Sequence, residues 1–363
     1  MTSADDGVRC LLMRGGTSKG AYFLAADLPA DPAERDDLLL RIMGSPDPRQ
    51  VDGLGGGHPL TSKVAVVSPS SSPDADVDHL FLQVVPDQPV VTDRQPCGNI
   101  LAGVGPFAVE RGLVPVAGDV TTVRIRMLNP VVQVAVADVP TTGGAVRYDG
   151  DEVMAGTPFP AATITISFPG GDRPVFPTGR LVDTLAGVDV TCVDAGMPVV
   201  LLRAADLGLE GTESPAALEA DTALRTRLEA VRAEAGPAMG LGDVSGTTVP
   251  KLTIVSPARH GGLVTTRTFV PHRVHDAIGV LGAVSVAAGV LAEGTVAHGI
   301  VEGATHRIEH PTGSFDVGIE LAGSGPATTV RRSTVVRTAR KLFDGVTWPR
   351  PAAATPTQRR TTT

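Results

Sequence analysis

Three stretches of the chain gather residues able to do chemistry. The first is Arg14-Gly-Gly-Thr-Ser-Lys-Gly20. Its glycines let backbone N–H groups approach a ligand, and its hydroxyls and lysine add donors. That combination suits a carboxylate or phosphate, with Arg14, Gly16, Thr17, Ser18 and Lys19 as candidate contacts. P-loop spacing is absent, and the plainer alternative is a hairpin turn with a solvated lysine. In the second stretch, Asp52-Gly-Leu-Gly-Gly-Gly57 leads through His58 to Thr61-Ser62-Lys63. It precedes a strand rather than joining strand to helix, so it is no dinucleotide fingerprint. Lys63 heads an apolar strand, where partial desolvation favours the neutral amine and suits it to act as a base, with Ser62 beside it. A strand-end lysine reaching solvent is the ordinary alternative. The third stretch, Pro96-Cys97-Gly98-Asn99, opens a helical segment. There the helix dipole and free N–H groups stabilise a thiolate or a bound anion; Gly98 leaves access and Asn99 adds an amide. The alternative is a buried structural cysteine, which is how Cys10 and Cys192 read.

Histidines supply a further set. His275 opens a second helical segment as Cys97 opens the first, and His310-Pro-Thr-Gly313 follows. A second helix start would bind another carboxylate, making His275, His310, Thr312 and Gly313 candidate contacts. Capping or core histidines are the alternative. The remaining histidines (His58, His79, His260, His272, His298 and His306) show no HxxxH or HExxH spacing, and no metal site is expected. Three scattered cysteines without CxxC spacing fit a reducing cytoplasm.

The elements that position these residues are strand-rich. Glycine and proline number 42 and 30, which means many turns and argues against a helical bundle. Hydrophobic residues at 42% exclude disorder, and a net charge of -8 disfavours nucleic acid or an anionic membrane as partner. The N-terminus carries two acids and no apolar run, predicting no signal peptide. The Gly-interrupted stretch Ala277–Leu291 is too short to span a membrane. Strands are predicted at Lys63–Val67, His79–Val85, Val120–Met127, Val131–Val136, Thr163–Phe168, Val199–Arg203 and Lys251–Val255. Helices are predicted from Asp31-Pro32 to Gly44, at Gly98–Arg111, from Ser214-Pro215 to Gly236, and at Asp276–Leu291. The second and fourth are apolar all round and therefore buried.

An internal echo organises the whole. KVAVVSP at Lys63 recurs as KLTIVSP at Lys251, Cys97-Gly-Asn is answered by His275-Asp-Ala, and Asn129-Pro130 by His310-Pro311. The separations run from 178 to 188 residues, in the same order. Two similar half-domains follow, each a strand-rich shell around one apolar helix.

MRGGTSKGAYF, DGLGG with PLTSKVAVVSPS, PCGNILAGVGPFAVERGLV, DAGMPVV, HPTG and RTARKLFDG together resemble the PrpF family over residues 9–344. The resemblance implies an α+β, diaminopimelate-epimerase-like fold. In it two pseudo-symmetric half-domains each wrap a curved, mostly antiparallel sheet around a central apolar helix, with the site in the cleft between them. The expected division is 1–180, 181–335, a closing segment 336–350 packing back on the first half, and a disordered tail 351–363. The family moves a C=C bond in an unsaturated di- or tricarboxylic acid without a cofactor, through an enolate. Its proposed catalytic lysine and cysteine fall on Lys63 and Cys97. Substrate contacts are then expected from the RGGTSKG loop, Ser62, Gly98, Asn99 and the second-half residues. The only partner implied is the small unsaturated carboxylate, and a homodimer is left open.

Departures from the family pattern matter. Relatives commonly carry H-(K/R)-A-x-x-x-T-G-A at the second helix, whereas this chain has Asp276 and Leu281 at the basic and threonine positions. Both changes remove groups that meet a carboxylate, and they imply a substrate with fewer carboxylates or a larger, more apolar body. The second half also lacks a cysteine at the mirrored position, which disfavours a two-cysteine amino-acid epimerase. A non-catalytic ligand-binding protein of the same fold is the alternative from another class; retention of Lys63 and Cys97 speaks against it.

Overall fold

The structure, a computed structural model, describes residues 7–94, 97–300 and 307–352. Pro96, His306 and the tail from residue 353 onward lie outside the described residues. The chain divides into two compact units, Met1–Ile164 with Arg337–Thr363, and Thr165–Val336. It is a mixed, sheet-dominated α+β protein with few helices.

In the first unit β1 (Val8–Gly15) and β2 (Ser18–Leu24) form an antiparallel hairpin. β2 runs parallel to β3 (Lys63–Pro69), and β3 pairs antiparallel with β4 (Val77–Val84). The short β5 (Val91–Thr92) pairs with β4, and β6 (Val120–Met127) joins β4 on one side and β7 (Gln133–Pro140) on the other. The last strand of the chain, β16 (Thr329–Thr347), pairs with β1 from Ala339 to its end.

Side-chain alternation gives this sheet two working faces. Cys10, Ala21, Phe23, Val64, Val66, Leu82 and Val84 pack with Leu38, Leu39, Ile42 and Met43 of α1 (Pro32–Met43). Each such residue, fully buried, is worth roughly 1.5–3 kcal/mol. α1 begins as its sequence dictates: Asp31 accepts from Ala33 N and Glu34 N, Pro32 takes the first position, and Gly44 closes the helix at φ 86°. Alternate residues on these strands point to the opposite face, where α2 (Gly98–Glu110) lies. The Tyr22 hydroxyl on that face donates to Ile100 O at 2.6 Å. α2 is buried from Ile100 to Ala108, and a Cβ at Gly103 would collide with the Tyr22 hydroxyl. A Cβ on Gly15 of β1 would likewise strike Asn99 O, so the start of the helix meets the sheet at backbone distance.

The second unit contains β8 (Thr163–Pro169), which straddles the unit boundary, β9 (Asp183–Leu185), β10 (Val188–Asp194) and β11 (Pro198–Arg203). β12 (Lys251–Ser256), β13 (Val264–Phe269), β14 (Arg307–His310) and β15 (Gly313–Ala322) complete it. β11 and β12 are parallel, and so are β13 and β14; the other neighbouring pairs from β9 to β15 are antiparallel. Val190, Cys192, Val200, Leu202, Leu252, Ile254 and Phe269 pack against α3 (Pro215–Ala220) and α4 (Thr222–Ala238). The opposite face carries α5 (Val280–Leu291), buried from Gly282 to Val290.

Two helix readings need correction. The amphipathic segment after Ser214 is two helices, because Asp221 leaves the helical conformation and its side chain caps Leu224 N. The second apolar helix starts at Val280 with Gly279 as N-cap, not at His275. Asp276 and Ala277 stay outside the helix, because the His275 ring nitrogen Nδ1 accepts from Ala277 N and holds the segment in a turn. Among the described residues no helix is long and apolar enough to cross a membrane.

One buried group makes stability depend on pH. His79 on β4 is 2% exposed, and burial pulls its imidazole down to about 4 from the ordinary 6.5. Above pH 6.5 both folded and unfolded forms are neutral there. Below it the unfolded chain takes up a proton that the folded chain refuses, so stability falls until about pH 4. The loss attributable to His79 is at most roughly 3 kcal/mol. Urea unfolding of wild type and His79→Gln between pH 7 and 4 should show a shallower slope in the variant; parallel slopes would refute the assignment.

Candidate active site

Lys63 and Cys97 lie on the same face of the first unit's sheet. Lys63 is the Cα partner of both Gly20 and Gln83 and so shares their face. A Cβ on Gly20 would press on Ile100 Cδ1, which identifies that face as the α2 side. Lys63 is 6% exposed; its Nζ donates to Gln83 Oε1 at 2.7 Å and lies 5.2 Å from the Phe81 ring centroid. Gln83 is itself pinned, its Nε2 donating to Ser62 O at 2.8 Å and Pro59 O at 3.1 Å. The amine is thus held in place by a neutral amide, leaving its charge available to an anion.

Cys97 is the N-cap residue of α2, with extended φ of -138° and a partly exposed side chain that makes no capping bond. The first N–H groups of any helix lack partners within it, so Cys97 stands at a concentration of donors and positive dipole. By contrast, burial pushes the thiols of Cys10 and Cys192 up to about 12.

The Arg14–Gly20 stretch has the backbone of its plainer reading: a hairpin whose two-residue turn, Gly16-Thr17, follows the Gly15–Ser18 pair. The turn nevertheless docks on the helix start. Asn99 Nδ2 donates to Thr17 Oγ1 at 3.0 Å, and Gly16 has φ 52° with a Cβ position that would overlap Asn99 Oδ1. Only glycine fits there. Ser18 pairs with Gly15 on the α2 face; it is 2% exposed, and its hydroxyl has no hydrogen-bond partner among the described residues.

Three expected contacts are placed elsewhere. Arg14 and Lys19 are cross-strand partners on the α1 face, one residue out of phase with Gly15 and Ser18. Arg14 Nη1 braces the turn by donating to Gly16 O, Thr338 Oγ1 and Thr338 O at 2.9, 2.9 and 3.2 Å. Lys19 Nζ reaches toward Gly56 and the Gly53–Gly57 loop. Ser62 is fully buried, donating to Val84 O and accepting from Gln50 Nε2, so it supports the strand start. A strand's period of two explains the first pair: a string of residues shows the loop but not which face each side chain takes.

In the second unit His310 and Gly313 close another two-residue turn. Thr312 Oγ1 donates to Asp276 O at 2.7 Å, tying that turn to the segment before α5. Desolvation and then the Lys251 charge hold the His275 imidazole below its ordinary value, and burial lowers His310. Lys251 was visible in the sequence only as an echo of Lys63. Its Nζ lies 3.8 Å from where a Cβ on Gly279 would stand, beside the N-cap of α5, and burial lowers its ammonium. No cysteine caps α5.

Likeness to solved structures agrees with this geometry. A hydroxyproline epimerase from Agrobacterium vitis, 17% identical over 95% of this chain and 94% of that one, matches with a TM-score of 0.53. That places the fold in the epimerase-like class. Methylitaconate-delta-isomerase matches with a TM-score of 0.86 at 31% identity, over 95% of this chain and 96% of that one. The model of the PrpF protein family covers residues 7–349, and the chain belongs to that family. It is 54% identical to the 4-oxalomesaconate tautomerase of Pseudomonas putida over 93% of this chain and 95% of that protein.

The three cysteines should separate by labelling. At pH 8 a thiol reagent should modify one equivalent, at Cys97, and Cys97→Ser should take up none until denatured. Modification of Cys10 or Cys192 in the folded protein at a comparable rate would contradict the burial that distinguishes them.

Proposed function

We propose that the chain is an isomerase that shifts a C=C bond in an unsaturated di- or tricarboxylate by moving one proton, and that 4-oxalomesaconate is its substrate. The observation that carries this reading is the sharing of one sheet face by Lys63, the partly exposed Cys97 and the first turn of α2. Family membership and the 54% identity to a 4-oxalomesaconate tautomerase support the substrate over methylitaconate, whose isomerase is 31% identical.

The chemistry follows from the groups present. A carbon acid beside a carboxylate is weak, and its conjugate base must be stabilised as it forms. An oxalo keto group beside the allylic carbon eases this step, because the electron pair left by the departing proton delocalises onto the keto oxygen as well as into the alkene. Whichever of Lys63 and Cys97 holds a free electron pair takes the allylic proton. The other returns one at the far end of the conjugated system. Dienolate charge is met by the N–H groups at the start of α2, the Asn99 amide and the Ser18 hydroxyl, with Gly98 leaving access. Conjugation supplies the electron sink, so no step calls for a cofactor.

Lys251, His275 and His310 extend the same reading to the second unit as carboxylate-binding groups. Lys251 supplies the cation that the family's basic residue would have provided where this chain has Asp276. The lysine-led strands β3 and β12, and the apolar helices capped by Cys97 and Gly279, support an internal duplication in which only one copy kept the thiol. That lone thiol argues against two-base amino-acid epimerisation. Three free cysteines fit a cytoplasmic setting.

The test is proton NMR in D2O with 4-oxalomesaconate, methylitaconate, 2-methylaconitate and the aconitates. Deuterium should enter the allylic position, and the vinyl signal should move, for 4-oxalomesaconate first. Lys63→Ala and Cys97→Ser should each lower turnover by roughly 10²–10⁴-fold. No exchange with any acid defeats the function, whereas full activity in both variants defeats the site.

A further inference from the structure

The α1-side placement of Arg14 and Lys19 leaves a question about charge. The chain carries a net charge of -8, so an anionic ligand approaches against the overall field and needs a local cation. The two that the loop's sequence offers are on the wrong side of the sheet for Cys97. Lys63 is on the right side, but if it is the group that takes the proton it is the neutral amine when it works. A second cation on the face that holds Cys97 would meet the ligand's charge whichever of the two is the base.

We propose that Arg337 is that cation: a buried guanidinium, fixed on the α2 face of β16, whose field draws carboxylate-bearing ligands to the Cys97 thiol. Its placement follows from strand register. Ala339 is the partner of Gly15, whose missing side chain points at Asn99 O and the Tyr22 hydroxyl, so Ala339 faces α2. Arg337 lies two residues earlier on the same strand and shares that face, while Thr338 between them points the other way and meets Arg14. Arg337 is 5% exposed; burial pulls its guanidinium down to about 9, and a negative charge at Cys97 raises it. Guanidinium suits the task better than ammonium, since it stays protonated where a buried lysine would not. Burial also strengthens its field, because little water screens it. The same register explains why RTARKLFDG belongs with the site: its first arginine faces the thiol and its threonine braces the hairpin turn.

The inference rests on the carboxylate reading of the site, but its test does not depend on turnover. Cys97 is alkylated in parallel by iodoacetate, which carries a carboxylate, and by iodoacetamide, its neutral counterpart, with the modified peptide quantified by mass spectrometry. Taking the ratio of the two rates cancels whatever fraction of the thiol is ionised. Relative to a free cysteine derivative, wild type should favour iodoacetate. Arg337→Gln and Arg337→Met, the latter keeping an apolar stem in place, should lower the ratio about 3–10-fold, whereas Arg337→Lys should preserve it only toward lower pH, where a buried ammonium keeps its proton. Arg14→Gln, on the opposite face, should leave it within about twofold. An unchanged ratio in a folded Arg337→Gln or Arg337→Met protein, with circular dichroism matching wild type, overturns the proposal; so does a loss confined to Arg14→Gln. If the ratio falls as expected while none of the unsaturated acids isomerises, the local charge stands and the catalytic reading alone fails.

Discussion

The first unit depends on bringing an apolar helix close against a sheet with its N-terminus beside the turn that joins β1 and β2. α2 has no polar side to leave in water, so it must be enclosed, and enclosure is possible only where side chains vanish at the contact. Gly103 makes room for the Tyr22 hydroxyl, and that hydroxyl in turn holds Ile100 O. This bond fixes the first turn of the helix against β2. From it follow the position of Cys97 at the cap, the docking of the Gly16-Thr17 turn on Asn99, and the approach of Gly20 to Ile100 beside Lys63. Close packing and this one hydrogen bond together align these groups.

Electrostatics is arranged by the same geometry. Each strand of the sheet lends one set of alternate residues to α1 and the other to α2, so groups adjacent in sequence have unrelated duties. Val64 and Val66 fill the α1 core while Lys63, between them and the loop, serves the opposite face. Arg14 braces a turn while Gly15, its neighbour, makes space for a helix. The neutral amide of Gln83 orients Lys63 without cancelling its charge, which a carboxylate in that place would do.

Much of this was legible in the sequence, and the reasons differ by element. The strands at Lys63, Val120, Thr163 and Lys251 declared themselves through Val/Ile/Thr runs between turn residues, and α1 through its Asp-Pro start and Gly end. Cys97 could be placed at a helix start because a glycine-rich apolar segment follows it directly. What failed was three-dimensional. Asp221 broke a helix whose amphipathic pattern ran on through the break, because its carboxylate found a backbone donor closer than solvent. The His275 ring holds Ala277 N in a turn ahead of α5, whose start falls at Val280. The faces of Arg14, Lys19 and Arg337 depend on which strands pair, and Arg337 pairs near Gly15 across more than three hundred residues; no local pattern reports that.

The two-faced sheet also sets what kinds of sequence change the protein can absorb. A substitution on the α1 face alters a core by one side chain, and cores accommodate such changes within limits. Loss or gain of a single residue inside β3 is different in kind. It would turn every following side chain over, sending Val64 and Val66 toward α2 and Ala65 toward α1. The Gly53–Gly57 loop just upstream has no such phase, yet Leu54 N and Gly55 N donate to Ile42 O and Met43 O, and a Cβ on Gly53 would strike the Met43 backbone, so it too is fitted to its place. The chain's tolerance here is therefore for composition in the α1 core rather than for length on either side of Lys63.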